Sequence, residues 1–99
     1  GVRILMHFYA DGAAMGSTVA ADSDLHFTGM VAGTGMLESL ELLRWDGQSW
    51  GVAWSAAPRD ELRVNLDYTE ANPKPGNIYY LRIRQQDGNR AWSSPIWVK

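Results

Sequence analysis

Side chains able to do chemistry are sparse in this sequence. Its two histidines, His7 and His26, each lie in an alternating apolar run, and neither has a second ligand at metal-binding spacing. Both are read as structural. Asp22-Ser23-Asp24 opens like a calcium loop but lacks the glycine and the glutamate that would complete one, so a solvated turn is expected. Ser17, Ser39, Ser93 and Ser94 have no evident base, and no Gly-x-Ser-x-Gly elbow is present. Gly33-Thr34-Gly35 is too short to cradle a phosphate and reads as a turn. The carboxylates of Asp60 and Glu61 fall in a connection with Pro58 and Arg59, where nothing would hold them in general acid/base geometry. Cysteine is absent, which removes disulfide and thiolate chemistry. The expectation is a domain with no catalytic residue, metal or cofactor of its own.

The elements that would position any site read as strands. Residues 2–9 place Ile4, Met6 and Phe8 on one face and Leu5, His7 and Tyr9 on the other; two apolar faces predict a strand covered twice or packed on a neighbouring domain. Residues 11–24 read as a loop with an extended piece near 17–20. Leu25, Phe27 and Val31 alternate with His26, Thr28 and Met30, with Gly29 marking a bulge or a close backbone approach. Residues 36–45 read as a strand with Leu40 and Leu42 inward, although Leu37, Leu40 and Leu43 also fit a helical stripe. A return strand follows over 48–55. Leu62, Val64, Leu66 and Tyr68 form the inward face of the next strand, which the Pro73 and Pro75 region ends.

Asp46-Gly47 and Asp87-Gly88 each sit between alternating runs, the signal for a two-residue type I′ hairpin turn. A tight turn at 87–88 places Tyr79, Leu81 and Ile83 with Trp92, Ile96 and Val98 in the core, and Ile78, Tyr80, Arg82, Arg84, Ser93, Pro95 and Trp97 opposite. Seven or so short strands with regular turn signals predict an all-β, antiparallel two-sheet sandwich of immunoglobulin or fibronectin III type, with Tyr79 or Tyr80 able to form a corner hydrogen bond. The absence of a Cys-Trp-Cys pattern excludes an antibody-type domain.

Five tryptophans in 99 residues are the unusual feature. A tight turn at 46–47 puts Leu43, Trp45, Trp50, Val52 and Trp54 on the face opposite Leu40 and Leu42. Beside the penultimate strand, this predicts an interaction patch of Leu43, Trp45, Trp50, Trp54, Tyr80, Arg82, Arg84 and Trp97. A bulge at that turn would instead send Trp50 and Trp54 inward. Docking to another domain or subunit and stacking of a sugar ring are the functional readings of such a patch.

Residues 77–99, NIYYLRIRQQDGNRAWSSPIWVK, also carry a resemblance, joined by Asp11-Gly12, Met15-Gly16 and the segment LESLELLRWDG at 37–47. Together they resemble the immunoglobulin-like domain that follows the catalytic domain in bacterial PHP-superfamily (polymerase and histidinol phosphatase type) metal-dependent phosphoesterases; AWSSP is also similar to a fibronectin type III ending. The resemblance implies a non-catalytic accessory domain that packs against a phosphoesterase catalytic domain. The His-x-His metal motif of that catalytic domain is missing here.

Length fits a single domain, burying roughly 60–65% of its unfolded surface. The start at Gly1 leads to the expectation of a C-terminal part of a longer protein. A net charge of −2 with interspersed signs argues against nucleic acid or an anionic membrane as partner. No apolar run approaches the length of a membrane-spanning helix.

Overall fold

A computed structural model describes residues 4–58 and 61–99; Val2 of the first strand and Asp60 of the Asp60-Glu61 pair lie outside the described residues. Every described element is a strand: β1 (Leu5–Ala10), β2 (Ala13–Ala14), β3 (Thr18–Val19), β4 (Leu25–Ala32), β5 (Leu37–Trp45), β6 (Trp50–Ala56), β7 (Arg63–Glu70), β8 (Ile78–Gln85), β9 (Arg90–Trp92) and β10 (Ile96–Val98). They form two sheets. Sheet A runs β2-β1-β4-β7, and sheet B runs β3-β10-β8-β5-β6 with β9 also on β8. Pairing is antiparallel except between β10 and β3. The all-β sandwich expected from the alternation is the observed architecture, and residues 36–45 supply a strand, not a helix.

Parity explains the core. Phe8 and Ala10 of β1, Leu25, Phe27 and Val31 of β4 and Leu66 of β7 face Leu37, Leu40, Leu42, Tyr79, Leu81, Ile83, Ile96 and Val98 of sheet B, all of them buried. Phe8 stacks on Phe27 within sheet A at 5.6 Å, and the two layers meet where Phe27 tilts against Tyr79 of sheet B at 4.7 Å. Leu62, expected inward, precedes β7 and is half exposed. Leu5, His7 and Tyr9 lie on the outer face of sheet A, where they are exposed. Residues 11–24 hold two short strands: β2 stays with β1, and β3 crosses to the margin of sheet B, where Ser17 O accepts from Trp97 N–H at 3.1 Å.

The three Asp-Gly dipeptides behave differently. Asp11 and Gly12 both have positive φ (48° and 85°) and join Ala10 to Ala13, the two-residue type I′ turn. At 46–47 the turn is longer: Trp45 pairs with Trp50, and Asp46 Oδ1 accepts from the N–H groups of Gln48 and Ser49 at 2.8 and 2.9 Å. At 87–88 Gln85 N–H donates to Asn89 O, Asp87 Oδ1 accepts from Asn89 N–H, and only Gly88 has positive φ. In both cases the aspartate side chain satisfies the turn's own amides, an alternative to the tight turn.

Gly29 pairs directly with Phe8 without a bulge, and a Cβ there would meet His7 O at 2.4 Å. It therefore marks a close approach of backbones. Gly29→Ala is expected to destabilise the fold by about 1–3 kcal/mol. Gly51→Ala, whose Cβ meets nothing within 4 Å, should leave it within about 0.5 kcal/mol. Urea midpoints of the two variants check the contrast.

Candidate functional site

The outer face of sheet B carries most of the aromatic residues that the core does not use. Across β6, β5 and β8 the register aligns Trp50 with Trp45 and Ile78, and Val52 with Leu43 and Tyr80; Glu41 and Arg82 follow, then Ser39 and Arg84. β10 adds Trp97 opposite Ile78, and β9 adds Trp92 opposite Arg82. The rings touch in sequence: Trp45 to Trp50 at 5.6 Å, and Trp50 edge-on to Tyr80 at 5.2 Å. Leu43 is buried on this face, while Trp50 (49% exposed), Val52 (49%) and Trp97 (41%) remain open.

Seven of the eight residues expected on this face are there: Leu43, Trp45, Trp50, Tyr80, Arg82, Arg84 and Trp97. The four-residue loop 46–49 adds two residues to the tight turn, and an even insertion preserves parity. Trp54 is the correction. A bulge at Ala53 shifts the register between Leu42 and Leu43, so Trp54 pairs with Leu42 and packs against the core. A bulge at the turn would invert Trp50 as well; lying beyond Val52, it inverts Trp54 alone.

Trp92 is a correction in the opposite sense. It was expected in the core, but the three-residue loop 86–88 offsets β9 by one, pairing Arg82 with Trp92 and leaving the indole 57% exposed. The link 93–95 restores the offset, so that Ile96 meets Tyr79 and points inward as expected. The signal was Ser93: its Oγ accepts from Leu81 N–H at 2.8 Å, and its own N–H donates to Leu81 O.

Electrostatics divide the face. Arg82 donates from Nε and Nη2 to Glu41 Oε1 at 3.1 and 2.6 Å, and Arg84 Nε lies 3.0 Å from Glu38. Arg90 stands opposite Arg84. Glu41, Arg82, Arg84 and Arg90 line a shallow pocket of about 270 Å³ together with Ser39 and Trp92.

A larger cleft of about 610 Å³ opens at one end of the sandwich, between the turn 46–48 and residues 70–77. At its base is Glu70, a buried carboxylate that accepts from Arg44 Nη1 and from the hydroxyls of Tyr68 and Tyr79, both at 2.7 Å; Asn77 Nδ2 donates to Tyr79 Oη. Tyr79, expected to form a corner hydrogen bond, donates its hydroxyl to this carboxylate instead of to backbone. Burial opposes the ionised form of Glu70, but the hydrogen bonds from Tyr68, Arg44 and Tyr79 outweigh it and hold its carboxyl below the usual value of 4.5. Burial and the neighbouring carboxylate push Tyr79 well up. Among the described residues no buried side-chain nitrogen or oxygen lacks a hydrogen-bond partner, and this network reads as a structural tie.

The histidines contribute no site. His7 is exposed, and His26 Nε2 meets Asp67 Oδ1 at 2.6 Å on the outer face of sheet A. Among the described residues no cluster of His, Cys, Asp or Glu has a metal-binding arrangement. Asp24, from the segment expected as a turn, accepts from Asn72 N–H.

No protein-family model matches the chain. Proteins of Chlamydia muridarum (33% identical), Chlamydia trachomatis serovar D (32%) and Chlamydia pneumoniae (34%), each described as uncharacterized, align with 99% of it. The chain spans 18% of the length of each. A solved structure described as "Structural basis of T cell specificity and activation by the bacterial superantigen toxic shock syndrome toxin-1" contains a chain that superimposes over its whole length, with a TM-score of 0.57 and 9% identity. That likeness bears on the fold alone.

Two outcomes are expected. In single Trp→Phe variants, acrylamide quenching should be lost most on replacing Trp92, Trp50 or Trp97 and least on replacing Trp54. For Glu70, a native pKa below 4.5 means that its stabilisation is complete above that pH and is lost as pH falls through the native value. Glu70→Gln should abolish that part of the acid dependence and lower stability at neutral pH by about 2–3 kcal/mol, measured by urea unfolding across pH.

Proposed function

We propose that this sandwich is a non-catalytic accessory module whose sheet B outer face packs on a neighbouring domain or subunit and positions it. The observation that carries this is the contiguous aromatic set of Trp45, Trp50, Tyr80 and Trp97 over Leu43 and Val52, with arginines at its border. Apolar and aromatic groups bordered on one side by Arg82 and Arg84 have the composition favoured at interfaces. In the Chlamydia relatives the matching segment is a small share of the polypeptide, which supports the reading of a module attached to something larger. The resemblance of residues 77–99, 37–47 and 11–16 to the module of PHP-type phosphoesterases supports a metal-dependent phosphoesterase domain as that partner.

A second reading, a sugar-binding module of an extracellular protein, is favoured by one feature: the exposed indole of Trp92 beside Glu41, Arg82, Arg84 and Arg90, a flat apolar face flanked by hydrogen-bonding groups.

Hydrogen exchange of the 99 residues alone and within the parent polypeptide tests the first reading. Protection rising along 43–45, 50–52 and 78–84 in the parent is expected, and Trp50→Ala with Trp97→Ala should remove it while leaving the isolated fold intact. Equal exchange in both contexts, or phosphoesterase turnover by the 99 residues alone with added manganese, would sink the proposal. Glycan-dependent quenching of Trp92 without such protection would favour the second reading.

A further inference from the structure

The sheet margins are unequally protected. In sheet A, β2 has two residues, and β7, though eight long, carries Arg63, Asp67 and Glu70. In sheet B, β3 has two residues and β9 three. Short length and charge are the usual guards against pairing with another chain. β6 differs: seven residues, WGVAWSA, with no charge and no proline, on the open side of β5. Its bulge at Ala53 interrupts the edge and leaves Trp50–Val52 as a regular stretch. Both flanking side chains of that stretch point outward and are half exposed, and the glycine between them faces open space.

We infer that β6 pairs antiparallel with β6 of a second copy of this chain, about a two-fold axis through Gly51 that sets Trp50 opposite Val52 of the other copy. The strand's own composition selects this occupant. A neutral edge meets no like charge when it pairs with itself. A two-fold at Gly51 generates the same aromatic-to-β-branched contact twice, the self-complementarity that an isologous interface requires. The glycine brings no side chain to the axis. Sheet B of one copy then continues into sheet B of the next, with both aromatic faces on one side. This goes beyond the docking reading, which concerns the face and not the edge.

Sedimentation velocity over a concentration series tests it. The chain should show a reversible monomer–dimer equilibrium, and Val52→Lys should weaken it at least tenfold. Leu5→Lys, at an exposed apolar position on the other sheet, should change nothing. Amides within Trp50–Val52 should exchange more slowly as concentration rises. A monomer up to the solubility limit overturns the inference. So does a dimer that survives Val52→Lys but not Trp97→Ala, because the contact would then lie on the face.

Discussion

One buried carboxylate ties the sandwich together. Glu70 closes β7 in sheet A, and two of its three donors, Arg44 of β5 and Tyr79 of β8, belong to sheet B. Hydrophobic contact between two layers is non-directional and would tolerate sliding. A charged acceptor fixed by three donors does not, because losing any partner leaves a buried polar group unpaired. The opposite end is pinned likewise. Gln85, fully buried, accepts at Oε1 from the N–H groups of Thr34 and Gly35 at 2.8 and 3.3 Å and donates from Nε2 to Asp87. A Cβ on Gly33 would meet Gln85 Oε1 at 2.7 Å, so Gly33-Thr34-Gly35 is a seat for that amide. The apolar core between these pins is held in one register by its ends.

Fixed register governs which aromatic residues are left over. Leu42 and Leu43 are both buried, one in the sandwich core and one beneath the rings of the outer face, so β5 is a strand covered on both sides. β8 repeats this with Leu81 inside and Tyr80 outside. The central pair of sheet B is therefore shielded by its own rings, and the openness of Trp50, Val52 and Trp97 belongs to the strands at either side.

Alternation made the fold and most of this face legible from sequence, since a period of two assigns faces without knowledge of the partner strand. Counting through turns was less secure. Asp46-Gly47 and Asp87-Gly88 look alike, yet one loop spans four residues and the other three; only an odd change exchanges faces. Trp50 therefore keeps the face that a tight turn predicts, and Trp92 changes to the other. Trp54 depended on a bulge at Ala53, and a small residue in an apolar run gives no warning of one. The Glu70 network lay beyond reach because its members, at 44, 68, 70 and 79, are joined only by the packing of two sheets.

The link Ser93-Ser94-Pro95 has a consequence for how this chain can vary. It absorbs the one-residue offset of β9 and returns Ile96 and Val98 to the core with Trp97 outside. The final strand thus depends on whether the link contains an odd or an even number of residues. Loss or gain of one residue would present Trp97 to the core and strip Ile96 and Val98 from it, whereas loss or gain of two would leave the faces as they are. Length variation in this hinge is quantised in pairs, a constraint on insertions and deletions that no single side chain in it would reveal.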